Sequence, residues 1–161
     1  VKNKDVPVQW SASLSVGIEP FDDDHKLFFS LANILLSAIE LEDPALDLVI
    51  RTTTNILVEY VDAHFLREEM AMEASKYPET ESHKKLHAIF KVELYKLIND
   101  YDSGRTLAGK QIADLVISWS TAHIASFDML YKNYISSTDV DPRPLVSLLR
   151  DGEDDAASQE D

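Results

Sequence analysis

Residues 60–94, YVDAHFLREEMAMEASKYPETESHKKLHAIFKVEL, contain two amphipathic segments separated by the break at Tyr77-Pro78. In the first, His64-Phe65-Leu66-Arg67-Glu68 sets a histidine and a glutamate four residues apart. In the second, His83-Lys84-Lys85-Leu86-His87 does the same with two histidines. Four residues turn a helix by about 400°, so each pair projects from nearly one face, one turn apart. This spacing predicts two helices that present polar, metal-competent side chains along the stripe that also carries the apolar residues.

Working outward, helical periodicity covers four long segments. The first helix is expected to start near Phe21, with Leu27, Phe28, Leu31, Ile34, Leu35 and Ala38 as its stripe. Asp43-Pro44 should stop it and open the second, Asp43 as N-cap and Pro44 in the first helical position. That second helix runs to about Ser75, with Val49, Ile56, Tyr60, His64, Phe65 and Met72 facing inward. Thr80 can cap a third helix reaching Tyr101 through Leu86, Phe90, Leu94, Leu97 and Ile98, before the turn Asp102-Ser103-Gly104. The fourth, from Thr106 to Ile135, carries Ile112, Leu115, Val116, Trp119 and Phe127. Asp141-Pro142-Arg143-Pro144 ends the pattern, and Leu145–Leu149 can pack back as a helical turn. The fold class is therefore all-α. The expected architecture is an up-down-up-down four-helix bundle over 21–136, preceded by an N-terminal arm (1–20, anchored by Trp10). A C-terminal extension (137–150) and an acidic tail (151–161) follow it.

Composition narrows the function. The 161 residues include no cysteine and only 4 glycines, and 29 acidic residues against 15 basic ones give a net charge of −14. Thiolate ligands, thiol nucleophiles and disulfides are excluded. So negative a chain repels phosphate backbones and anionic lipid heads, so neither a nucleic acid nor a membrane is expected as partner. No apolar run follows Val1-Lys2-Asn3-Lys4-Asp5, and a cytoplasmic monomer is expected.

All five histidines, His25, His64, His83, His87 and His123, fall beside or within an apolar stripe, at least one on every helix. A single buried histidine is ordinarily a hydrogen-bonded core residue, and one His–Glu pair can serve an exposed helix face. Taken together, however, the five converge on one layer if the helices alternate in direction. Five imidazoles and two carboxylates buried without a cation would leave costly unpaired polar groups. The second carboxylate is Asp128, five residues after His123, about 140° off its face in a regular helix. It must reach sideways, or the helix must locally widen. Seven donors exceed the four of a tetrahedral zinc and are too rich in nitrogen for calcium or magnesium. They suit two ions, one with an open position, and iron, manganese, zinc and copper all accept such ligands. The Glu-x-x-His signature of oxygen-activating di-iron bundles is absent, since Asp22, Val61, Thr80, Lys84 and Ser120 precede the histidines by three.

Asp22-x-x-His25, His64-Phe65-x-x-Glu68-Glu69-x-x-Met72, Tyr77-Pro78, His83-x-x-x-His87 and Trp119-x-x-x-His123-Ile124-x-x-x-Asp128 together resemble the hemerythrin family, its single-domain bacterial members in particular. The resemblance spans Trp10 to Tyr134. It implies reversible dioxygen binding at two non-haem iron ions joined by an oxo or hydroxo bridge. His83, His87 and His123 would hold one ion, His25 and His64 the other, and Glu68 and Asp128 would bridge them. Dioxygen would enter a dry pocket lined by Phe28, Phe65, Trp119, Ser120 and Ile124. Where the family usually has leucine after the tryptophan, this chain has Ser120. Asp22, Tyr60 and Glu69 are candidates to orient the imidazoles. Beside the carrier, storage or supply role, for which no enzymatic activity is expected, stand three alternatives. They are an oxygen or redox sensor acting on a signalling partner, a peroxidase-like or nitric-oxide-reducing di-iron enzyme, and a plain bundle that binds zinc.

Overall fold

The computed structural model describes residues 7–105 and 107–148, so the expected acidic tail lies outside the described residues. Four long helices carry the structure: α1 (Glu19–Ala38), α2 (Ala45–Ala74), α3 (Thr80–Asp102) and α4 (Ala108–His123). The last rod continues through a five-residue wide turn, Ile124–Asp128, into a final helical turn, Met129–Tyr131. Among the described residues there is no strand, and no helix is long and apolar enough to cross a membrane.

The helices pack in a ring, α1 on α2, α2 on α3, α3 on α4 and α4 back on α1. Their directions follow from two apolar clusters. One contains Phe28, Leu35, Leu57, Val61, Phe90, Leu94 and Val116. The other contains Phe21, Met72, Tyr77, Ile124, Tyr131 and Val140. α1 passes from the second cluster at Phe21 to the first at Phe28, whereas α2 passes from the first at Val61 to the second at Met72. Tyr77 to Phe90 along the α3 side, and Val116 to Ile124 along α4, repeat the alternation. His25, His83, His87 and His123 fall between members of the two clusters along their helices and His64 at the inner edge of the first, so the bundle is an up-down-up-down assembly with a polar layer held between two oily ones.

The arm is strapped to the bundle by polar pairs. The Asn33 side chain donates to the Val8 carbonyl (2.7 Å) and accepts from its N–H (3.0 Å). Asp22 accepts from the Ser15 hydroxyl (2.6 Å) and the Val16 N–H (2.9 Å). Trp10 is half-buried with the Lys26 ammonium 5.0 Å over its ring, the anchor expected of it.

Several local expectations need correction. α1 begins two residues early, because Pro20 is tolerated inside a first turn that needs no N–H from it. α2 begins at Ala45 with Pro44 in the capping position, which leaves Asp43 one residue too early to cap. Thr80 is already helical, and its hydroxyl turns back to the Tyr77 carbonyl (2.7 Å) rather than forward to the helix. Ile56 is exposed, since it lies eight residues from His64 and hence about 80° around the helix, whereas Leu57, seven away, is fully buried. Ile34 is exposed too, with Leu35 taking the inward position beside it. Phe127 is 40% exposed, because the wide turn gives the inward position to Asp128. The turn at 145–148 is helical as expected, and Leu145 is buried.

Two helix ends share one device. After α3, the Arg105 N–H donates to the Asp100 carbonyl and the Gly104 N–H to that of Tyr101, with Gly104 at φ 87°. After α2, the Tyr77 N–H reaches Met72 and the Lys76 N–H reaches Glu73, but there the left-handed position is a lysine at φ 55°. Both are Schellman closures, and only the first uses the residue without a Cβ penalty. Lys76→Gly is expected to raise the unfolding free energy by about 0.5–1 kcal/mol, read by urea denaturation of the metal-free protein.

Candidate metal centre

Each helix delivers its donors for a local reason. His25 stands nearly two turns inside α1, between Phe21 and Phe28. His64 and Glu68 share one face of α2, as His83 and His87 do on α3. His123 ends the regular part of α4, and the wide turn that follows swings Asp128 onto the same interior. The offset of five residues is thus met by local widening of the helix. All seven residues are at most 3% exposed.

Their distances form a pattern. Glu68 Oε1 lies 3.7 Å from His25 Nε2 and 3.5 Å from His64 Nε2, while Oε2 lies 3.7 Å from His83 Nε2 and 3.3 Å from His87 Nε2. Asp128 Oδ2 lies 3.4 Å from His25 Nε2, while Oδ1 lies 3.3 Å from His83 Nε2 and 3.1 Å from His123 Nε2. Each carboxylate therefore divides its oxygens between a two-histidine set and a three-histidine set. Two overlapping groups, Glu68 with His83, His87 and His123, and Glu68 with His25 and His64, can each converge on one cation.

Without a cation the layer is poorly satisfied. His25 Nε2, His87 Nε2, Glu68 Oε2 and both oxygens of Asp128 are buried with no hydrogen-bond partner. The Nε2 atoms of His83 and His123 approach to 3.0 Å, where two lone pairs would collide unless one carried a proton. Burying such groups unpaired is costly, and a bound cation satisfies them together. A nitrogen-rich set with two carboxylates suits non-haem iron.

A model of the hemerythrin HHE cation binding domain matches residues 16–135. The chain belongs to the hemerythrin family. Among its relatives, the bacteriohemerythrin of Pseudomonas paraeruginosa is 30% identical over 124 residues, 76% of this chain and 77% of that one. The bacteriohemerythrin of Clostridium acetobutylicum is 28% identical over 131 residues, 76% of this chain and 96% of the other. The myohemerythrin of Theromyzon tessulatum is 29% identical over 126 residues, covering 78% and 92%. Family and donor cluster together give a hemerythrin-like protein with a metal-binding site whose composition is that of non-haem iron.

Around this hemerythrin-type layer the aromatic residues fall on distinct sides. Phe65 stacks on His87 with ring centroids 3.8 Å apart and planes within 1°, and reaches His64 at 5.8 Å. Trp119 stacks on His123 at 4.0 Å. Phe28 meets His64 edge-on at 5.0 Å, joined by Phe21 at 6.2 Å, which was not expected beside the imidazoles. Ser120 and Ile124 are both buried on the α4 side.

The outer hydrogen bonds differ in part from expectation. Glu69 accepts from His87 Nδ1 (2.9 Å), as anticipated. Asp22 instead secures the arm, and Tyr60 packs half-buried against the larger apolar cluster. His64 Nδ1 donates to Asp24 (3.0 Å). The fully buried Tyr131 donates to Glu68 Oε1 (2.5 Å), and lies eight residues from His123. With one residue absorbed in the wide turn it returns to the inward face, a signal that follows once the widening is accepted.

Charges in the layer act on one another. Burial would raise the Glu68 pKa, but His64 and the bonds from His25, His83 and His87 outweigh it and hold Glu68 well below the carboxylate range. Burial opposes charge on His25 and His87, yet Glu68 lifts both above 6.5, with Asp128 aiding His25 and Glu69 aiding His87. Burial lowers His123 despite Asp128, so it works in the opposite sense. In the metal-free protein the stabilisation from His25 and His87 is complete below 6.5 and lost as pH rises through their higher folded values. That from Glu68 is present above its ordinary 4.5 and lost as pH falls through its depressed folded value. Metal binding requires neutral imidazoles and so gains over the interval where the metal-free fold weakens. Melting curves with and without bound metal should diverge progressively from pH 6 to 8.5, with metal released on acidification below about 6.5; parallel curves, or full retention of metal at pH 4, would count against the site.

Proposed function

We propose that this protein binds dioxygen reversibly at a pair of iron ions. In this reading His83, His87 and His123 hold one ion, His25 and His64 hold the other, and Glu68 and Asp128 bridge them. The observation that carries it is the division of each carboxylate's oxygens between the two histidine sets. Three imidazoles and two carboxylate oxygens serve one ion, and two imidazoles and two oxygens the other. The second set would thus offer one donor fewer than the first and would be the side left open for dioxygen. Bound iron would supply the two electrons that dioxygen takes up on binding and returns on release.

The chain's own part is to orient the ligands and exclude water. Asp24 and Glu69 fix the tautomers of His64 and His87, so that each Nε2 keeps its lone pair for the interior. Tyr131 offers Glu68 a proton donor and keeps its own proton, because burial, reinforced by Asp128 and Glu68, holds its pKa well above 10. Phe28 and Phe65, with Phe21 added, give the open side beside His64 an apolar lining that admits a neutral diatomic and resists water, while Trp119 backs His123 on the full side and Ile124 is buried on α4. In this reading Ser120, buried on α4, brings a hydroxyl to the pocket where the family usually has leucine.

A carrier, storage or supply role is favoured over catalysis. Among the described residues each buried acid or imidazole is either in the donor set or already paired, Asp22 with the arm and Asp24 with His64 and Arg67. None is left poised beside a substrate as a separate acid–base pair.

Anaerobic reduction followed by air should produce a visible absorption that vanishes under argon and returns with air, at two iron atoms per chain by parallel metal analysis. Irreversible bleaching, or one zinc per chain, would defeat the reading. Ser120→Leu should slow the loss of this reversibility in air several-fold, timed from the decay of the same absorption; equal rates would remove Ser120 from the pocket.

A further inference from the structure

The two histidine sets are anchored differently from outside. Glu69, which orients His87, is about a quarter exposed. Asp24, which orients His64, is buried beside a second buried charge, Arg67, whose Nη1 donates to both Asp24 oxygens at 3.0 and 3.1 Å. The other end of the guanidinium, Nη2, donates to the backbone carbonyl of Arg143, and Nη1 lies 3.5 Å from the Pro20 carbonyl. One side chain of α2 thus ties the start of α1 to the C-terminal extension, where Val140 and Leu145 are also buried.

We propose that Arg67 is a positioning residue for the two-histidine side and couples it to residues 140–148. The inference takes up the two-ion reading above and assigns that second ion an outer support of its own. The chemistry runs through Asp24. A buried carboxylate accepting from His64 Nδ1 fixes which nitrogen faces the interior, but left alone it would be an uncompensated charge. The guanidinium neutralises it through a charge-assisted contact and, being a planar fork, has donors left for a backbone carbonyl. An ammonium could not span both in the same geometry. Because Arg67 donates to Asp24 and to Arg143 at once, anything that holds His64 and Asp24 in place also holds the extension. By reciprocity, ordering of the extension favours the metal-binding geometry of His64.

The test uses the full chain carrying Arg67→Met, which keeps an apolar stem of similar length. Release of ferrous iron to a chelator under anaerobic conditions should be biphasic in the unaltered protein. In the variant one phase should accelerate about tenfold while the other stays unchanged, within the range seen when outer partners of metal ligands are removed. In the zinc-loaded protein, the imidazole ¹⁵N spectrum should show the His64 Nδ1–H signal altered and that of His87 unmoved. Amide exchange at 140–148 should slow on metal loading in the unaltered protein and fail to respond in the variant. Equal acceleration of both phases, an unmoved His64 signal, or an unchanged exchange response overturns the proposal. Should Arg67→Met not fold, Arg67→Gln removes the same cation while keeping a polar end, and is read by the same three measurements. Release of a single ion in one phase by the unaltered protein would overturn the two-ion reading instead, leaving the His64 signal and the exchange response to decide on Arg67.

Discussion

Two buried carboxylates facing five imidazoles set the terms for everything else in this molecule. Glu68 and Asp128 are almost wholly removed from water, and each is flanked by ring nitrogens within 3.1 to 3.7 Å. A layer of that kind is unfavourable in an apolar interior unless positive charge sits within it. The fold arranges for this by closing the layer above and below with separate apolar clusters. Solvent is kept away from the donors, and the helices are fixed at the distance where the donors nearly touch. The bundle is in this sense a frame for a charge.

Much of this was legible in the amino-acid order. Four-residue spacings placed His64 with Glu68 and His83 with His87 on common faces, and the five-residue step from His123 to Asp128 required either a sideways reach or a widened turn. The structure has the widened turn. Helix type and number followed from periodicity, as did the alternation of direction from the need to bring all five histidines together.

What escaped was set by neighbours distant in sequence. Asp24 and Arg67 look like surface charges in their own segments, and only the crossing of α1, α2 and the extension makes them a buried pair. Asp22, adjacent to that pair, has a quite different task in holding the arm. Helix starts were misplaced for a local reason. Pro44 and Thr80 satisfy their turns through backbone geometry and a backward hydroxyl bond, not through the forward caps that the residue types suggest. Ile56 shows how a one-position slip along a helix moves a large residue from the interior to the surface.

The imidazoles are also gripped in unlike ways. His87 and His123 lie flat against Phe65 and Trp119, ring on ring, whereas His25 meets His64 only edge to face and Phe28 likewise touches His64 with its edge. A ring pressed on its face cannot turn about its own bond without pushing its neighbour aside, while one met at the edge can swing through small angles. Of the five rings, His87 and His123 are therefore the least free to reorient, and together they form the stationary jaw against which the edge-met rings, His83 among them, can settle.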